Sequence, residues 1–355
     1  MQERLYDRLK LPEIPALNGL RAVAVFTVIG FHTVNRWFPG RFGVLIFFVL
    51  SGFLITWLLL KESASTGRVS LTAFYKRRSL RIFPAFYVFW LLQVFVLAAI
   101  PWPLVTSCAA YVGNYYVGAV LHTEAPVMGH TWSLAVEEQF YLLWPLIFAW
   151  QRHNLRRLAW YLAGVVLAVQ ILRILLFKPG VNGLYVAYAF ETRCDALAIG
   201  CLIAILLWTQ PKIPSWLFSR AAIFAPISVV LACTFVERYD QPGSLLYCFG
   251  PVAAASALLI VQAITLSDRG LFALLNHPVM NYLGKISYPL YLYHLIVHQF
   301  THDLPASKVV KGIISLPLLI LVASASYFFV EKPFLKLKNR KIQPAPDAII
   351  GLTNE

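Results

Sequence analysis

Residues 43–60, GVLIFFVLSGFLITWLLL, are eighteen consecutive residues without a charge. As a helix rising 1.5 Å per residue they extend about 27 Å, close to the ~30 Å hydrocarbon core of a bilayer. Such a run is either a membrane span or a wholly buried helix, and the rest of the chain chooses between them. Of 355 residues, 59% are hydrophobic and 13% charged, with a mean hydropathy of +0.68. A soluble domain carries about 25% charged residues. The chain therefore reads as an all-α, polytopic membrane protein. The same length rule gives about ten transmembrane helices, near 14–34, 43–60, 83–100, 132–150, 158–177, 184–208, 221–236, 244–266, 286–301 and 312–331. The apolar stretch 103–121 is expected to be re-entrant or interfacial.

A net charge of +14 raises the question of nucleic acid, but membrane proteins collect Lys and Arg on their cytoplasmic loops. With the N-terminus inside, inner segments hold about 21 basic residues and outer ones about six, and the loop 101–131 holds none. An N-in, C-in orientation follows, and no nucleic-acid partner is expected. The first apolar run contains Arg21 and is followed by no small-residue cleavage site, so it reads as a retained helix. Cys108, Cys194, Cys201, Cys233 and Cys248 are scattered through apolar stretches and form no CxxC pair; they read as inert buried thiols. No internal repeat of the kind found in many secondary transporters is visible. One membrane domain, 14–331, is expected between an N-terminal cytoplasmic segment, 1–13, and a loose cytoplasmic tail, 332–355.

Ionisable groups are costly in a span, so they are paired or used. Arg21 and His32 lie eleven residues apart, within about 20° of three full helical turns, which puts them on one face about 16 Å apart. That spacing fits a polar stripe facing a cavity, and equally a structural histidine with a pairing arginine. In FYKRRSLRIFPAF (74–86), Arg78 and Arg81 stand at i and i+3 near the entrance of a span. Two forked guanidiniums there could clamp the phosphates of a cytoplasmic ligand; the positive-inside bias alone also accounts for them. Glu137 and Glu138 fall about one turn inside the span after GHTWSLAVEEQF, at a depth expected to match His32. A carboxylate there would fix the imidazole tautomer and make a catalytic pair. Glu191, Arg193 and Asp195 read as a local neutralised group. His294 and His298 are four apart, but no HExxH-like carboxylate accompanies them, so no metal is expected. No G-x-S-x-G elbow or phosphate-binding loop of the Walker type is present. Ser51 in VLSGF reads as part of close helix packing.

Taken in order, these stretches resemble the acyltransferase-3 family of integral-membrane O-acyltransferases. IPALNGLRAVAVFTVIGFH is similar to that family's first-helix signature of an arginine, ten residues and a histidine. FGVLIFFVLSGFLIT, RRSLRIFPAFY, HTWSLAVEEQFYLLWP, TRCDALAIG, LGKISYPLYLYH and FVEKPF resemble its later landmarks. Asn18 stands where the family often has Asp, and Leu45 where it often has an acidic or polar residue. The hydrolase-like extracytoplasmic domain of some members is not expected here.

The resemblance implies an enzyme transferring an acyl group other than amino-acyl, commonly acetyl, from cytoplasmic acetyl-CoA or another acyl-CoA. The implied acceptor is a hydroxyl of a glycan, a lipid-linked saccharide, or a small molecule such as a macrolide sugar. The implied location is the bacterial plasma membrane, crossed many times. Carried onto these residues, Arg78 and Arg81 would hold the CoA phosphates and Arg21 would line the path. His32 would act as general base, oriented by Glu137, with an acyl-histidine intermediate as the alternative route. A multi-span transporter or flippase is the rival class, and it lacks a reason for the arginine clamp.

Overall fold

The computed structural model describes residues 2–11, 13–35, 37–96, 100–121, 128–178, 181–209, 213–239, 244–302, 304–305 and 308–338. All regular structure among them is helical. The ten longest helices fall where apolar runs were expected: α1 (Pro15–Thr33), α2 (Gly40–Thr66), α3 (Leu71–Val96), α4 (Trp132–Gln151), α5 (Leu155–Leu176), α6 (Phe190–Trp208), α7 (Arg220–Tyr239), α8 (Ser244–Thr265), α9 (Ser287–His302) and α10 (Lys308–Ser326). Five segments among the described residues are long and apolar enough to cross a membrane: α1, α2, α5, 246–265 of α8, and 310–337, which runs from α10 through a π-turn into a last short helix.

Several boundaries differ from expectation for local reasons. α3 begins at Leu71, twelve residues before the expected span, because the arginine-rich stretch is itself helical and runs on through Pro84. Arg78 therefore lies about 10 Å inside the helix rather than at its entrance. The expected span at 184 is broken: a short helix, Gly183–Tyr188, stops at Ala189 in extended conformation before α6 starts. The stretch 103–121 folds as an eight-residue helix, Trp102–Ala109, then a turn with Tyr111 at φ 55°, then Gly113–Tyr115 and a π-turn. No piece of it is long enough to span. The chain start is helical over Gln2–Lys10, and the expected loose tail begins as a helix, Lys332–Lys338, with 339–355 outside the described residues.

α2 is the centre of the bundle, with 78% of its most apolar stretch buried, against 22% for α5 and for the 310–337 segment. The peripheral helices point Leu167, Leu175, Ile313 and Leu321 outward, as a face toward hydrocarbon requires. α2 and α6 cross at backbone contact. A Cβ on Gly52 would stand 2.0 Å from the Leu197 carbonyl oxygen, and one on Gly200 2.1 Å from that of Val49. Small residues permit this approach, and close van der Waals packing drives helix association in lipid.

The two ends of the bundle differ in charge. At one end, Arg77 pairs with Glu62 at 2.7 Å, Arg152 donates to the Gly67 carbonyl at 2.6 Å, Arg8 meets Asp268, and Lys285 meets Glu13 at 3.1 Å. This basic end gathers the end of α2 and the starts of α3 and α5. α1 runs away from it and carries His32 in its last turn, so the opposite end is called the histidine end here.

Candidate functional site

Two polar layers are stacked inside the bundle. The first is at the level of Arg21. Arg21, Arg78, Arg81 and Glu137 lie within electrostatic reach of one another and of Tyr141, and Glu331 interacts with both Arg81 and Arg21. α3 supplies Arg78 and Arg81 at the i, i+3 spacing that puts them on one side. Arg78 lies over the Tyr141 ring, its guanidinium carbon 3.6 Å from the centroid, with Nε 3.6 Å from Glu138 Oε1. Cation–π stacking and an ion pair thus hold one guanidinium from two sides. That Nε is buried and makes no hydrogen bond. Arg21 and Arg81 are half-buried. Glu137 accepts a 2.7 Å hydrogen bond from Ser51 Oγ.

The second layer is at the histidine end. His32 is exposed, and its ring lies 5.2 Å from that of His294, which lies 5.1 Å from that of His130. His294 is buried; its Nδ1 is 2.6 Å from the Tyr291 carbonyl oxygen. A carbonyl only accepts, so Nδ1 carries the proton and Nε2, which has no hydrogen-bond partner, is the open acceptor of a neutral ring. Between the layers, Tyr291 and Ser133 hydroxyls share a 2.6 Å hydrogen bond, and Tyr291 donates to the His130 carbonyl at 2.8 Å. Tyr291 is also within electrostatic reach of Glu137, so polar groups continue from the histidine layer toward the arginine layer.

The structure brings four of the expected residues together, Arg21, Arg78, Arg81 and Glu137, and places His32 apart from them. The contacts of Glu137 are with other groups than the expected His32: it bonds to Ser51 and faces Arg78, Arg21 and Arg81. The reason is depth. His130, not Glu137, reaches the His32 level, because a 3₁₀ turn at Gly129–Thr131 starts α4 there and Glu137 follows two turns deeper. Arg78 is also not an open clamp, since Glu138 and Tyr141 already hold it.

Sequence reasoning passed over Ser51, Glu331, His130 and His294 as site residues. Ser51 lies beside Gly52, and the pair divides its work: Gly52 makes the helix crossing and Ser51 bonds to Glu137. The His294 signal was the four-residue spacing to His298, weighed only as a metal site and set aside, whereas the ring packs against that of His32. Among the described residues, no group of three or more His, Cys, Asp or Glu side chains is placed to hold a metal ion. Glu191, Arg193 and Asp195 are also not a closed local group, although Asp195 remains within electrostatic reach of Arg193. Glu191 takes hydrogen bonds from Tyr115, at 2.8 Å, and Tyr185, while Asp195 pairs with Arg173 of α5.

A family described by its acyltransferase domain matches residues 14–330. A Staphylococcus aureus (strain COL) protein, provisionally named O-acetyltransferase SACOL0978, is 30% identical over 360 residues, 92% of this chain and 58% of its own length. O-acetyltransferase OatA of Staphylococcus aureus (strain NCTC 8325 / PS 47) is 31% identical over 354 residues, 91% of this chain and 57% of its own. The chain thus spans somewhat over half the length of the curated relatives it matches. No solved structure matches it. Because the family match runs from the turn before α1 to the π-turn that carries Glu331, through every long helix and both polar layers, this chain belongs to the acyltransferase-3 family.

Proposed function

We propose that the protein is a membrane-embedded O-acetyltransferase, moving an acetyl group from acyl-CoA to a hydroxyl of a glycan or lipid-linked saccharide. The observation that carries this reading is the pair of polar layers: an arginine layer and a histidine layer on one face of α1, about 16 Å apart, with Tyr291 hydrogen-bonded at the histidine layer and within electrostatic reach of Glu137 in the other. A phosphate-bearing donor with a long thioester arm has its charged end and its reactive end separated in that way. All ten long helices cross the membrane with both chain ends in the cytoplasm, and the membrane is a bacterial plasma membrane. The domain is 14–331.

The residues present suit such a donor. Arg78 is held by Glu138 and Tyr141, but its buried Nε makes no hydrogen bond, and Arg21 and Arg81 lie beside it as half-buried residues; guanidinium forks match phosphate oxygens. When bound, the donor supplies the acetyl thioester. His32 removes the proton of the acceptor hydroxyl, a task suited to neutral imidazole near pH 7. His294, with Nδ1 committed to the Tyr291 carbonyl, holds its ring against His32 and takes the orienting place expected for Glu137. Glu137 instead fixes the arginines: it balances their charge and is itself held by Ser51.

The test is release of CoA thiol by the purified protein given acetyl-CoA and an extract of bacterial surface glycans. His32→Ala is expected to lower turnover by about 10²–10⁴-fold with acetyl-CoA binding retained. Normal turnover by His32→Ala would make His32 a structural residue and sink the mechanism.

A further inference from the structure

A second buried charge cluster lies on the other side of α6, and its charges do not balance. Arg173 of α5 and Arg193 of α6 are 1% and 2% exposed, and the carboxylate between them is Asp195, 1% exposed. Asp195 Oδ2 accepts from Arg173 and from Gln170 Nε2, the latter at 3.0 Å. Among the described residues Arg193 makes no ion pair; its guanidinium carbon lies 3.7 Å from the Phe249 ring centroid and 5.4 Å from that of Trp132. Nε and Nη1 of both arginines are buried and make no hydrogen bond, and Asp195 Oδ1 also has no partner. The nearby Arg41 is already paired, at 3.2 Å from Glu237. Among the described residues, two guanidiniums against one carboxylate leave one positive charge unmatched and four buried donor atoms unbonded, and an unpaired buried charge is strongly destabilising.

A notch opens beside them. A cavity of about 80 Å³ is lined by Gln170, Arg173, Ile174, Phe177, Leu246 and Tyr247. Its rim is apolar and faces outward: Ile174 is 59% and Tyr247 64% exposed. Arg173 stands about one turn before α5 ends at Leu176, and Tyr247 about one turn after α8 starts, so the notch lies at the depth where helix ends meet headgroups. Tyrosine is enriched at that level.

We infer that this notch is an oxyanion site, separate from the two polar layers, that takes a phosphate group entering from the lipid side. One negative charge neutralises the excess guanidinium, and phosphate oxygens accept from the fork of Arg173 with Arg193 behind it. Phosphate can come from a phospholipid headgroup or from solution, and the test separates these sources.

The full-length protein is purified in a neutral detergent, stripped of lipid, and melted with dioleoylphosphatidylglycerol, with dioleoylglycerol, or with inorganic phosphate against chloride at equal ionic strength. The phospholipid is expected to raise Tm by roughly 5 °C at about a hundredfold its dissociation constant, and the phosphate-free diacylglycerol to do nothing. An equal rise with inorganic phosphate alone makes free phosphate the source and leaves the site standing. Arg193→Gln removes the unmatched charge, so its lipid-free Tm is expected to equal or exceed that of the wild type while the phospholipid shift disappears. Native mass spectrometry is expected to retain one phospholipid on the wild type and none on Arg193→Gln. Ile174→Glu, on the exposed rim, supplies its own carboxylate beside Arg173 and is expected to abolish the shift with a lipid-free Tm equal to or above that of the wild type. The inference fails if neither phosphate source stabilises the wild type, if Arg193→Gln melts lower or does not fold, or if the shift survives in both variants.

Discussion

Arg21, Arg78 and Arg81 share their layer with three carboxylates, Glu137, Glu138 and Glu331, whereas Arg173 and Arg193 share one, Asp195. Both groups are surrounded by apolar helix, so the difference is one of balance rather than setting. The first group is also held: Tyr141 stacks on Arg78 and Ser51 bonds to Glu137. In the second, aromatic faces substitute for a missing counter-ion. Balance preserves a constellation while substrates come and go, because no single bound group is needed to keep it folded. An excess charge is the opposite condition, in which folding and ligand binding become linked.

The contrast breaks most readily at Asp195. Asp195→Ala leaves two buried guanidiniums without a carboxylate and is expected to cost about 3–5 kcal/mol, read as a large fall in Tm in detergent. A near-normal Tm would mean that neighbouring rings alone hold the pair. Next come two matched substitutions of opposite expected effect. Arg81→Gln removes the stronger of the two guanidinium interactions of buried Glu331, leaving Arg21, and is expected to lose about 2 kcal/mol, while Arg193→Gln loses none. Equal losses in thermal unfolding would erase the distinction. A smaller effect tests use rather than balance. Arg78→Lys keeps the charge but not the fork or the flat contact with Tyr141. It is expected to raise KM for acetyl-CoA about tenfold, near 1.4 kcal/mol, with kcat little changed; an unchanged KM would remove Arg78 from the donor site.

The sequence made the helices legible because each run such as 43–60 can satisfy its backbone in lipid in only one way. It also made the arginine–histidine face of α1 legible, since eleven residues are close to three turns. Depth was not legible. Glu137 sits about where His32 does when counted from an apolar boundary, but α4 starts with a 3₁₀ turn that gives the histidine level to His130. Partners across helices were hidden for the same reason. Asp195 lies two residues from Arg193, and the spacing suggested a local pair, yet successive residues on a helix point apart and its partner arrives from Arg173, 22 residues upstream. Nothing in one chain's pattern says which two helices will touch.

Ser51 gives the finest comparison between packing and polarity, because Gly52 beside it does the packing. Its hydroxyl bonds to Glu137 across the α2–α4 contact, and its loss leaves a carboxylate oxygen short of one donor in a layer where three guanidiniums compete for it. Ser51→Ala is expected to cost about 1 kcal/mol of stability, too little to disturb the fold. The informative measurement is the double-mutant cycle with Glu137→Gln. If the two act through one bond, their effects on acetyl-CoA binding overlap, with a coupling of roughly 0.5–3 kcal/mol. Strict additivity would return Ser51 to the packing role its neighbour already fills, and would leave Glu137 held by the arginines alone.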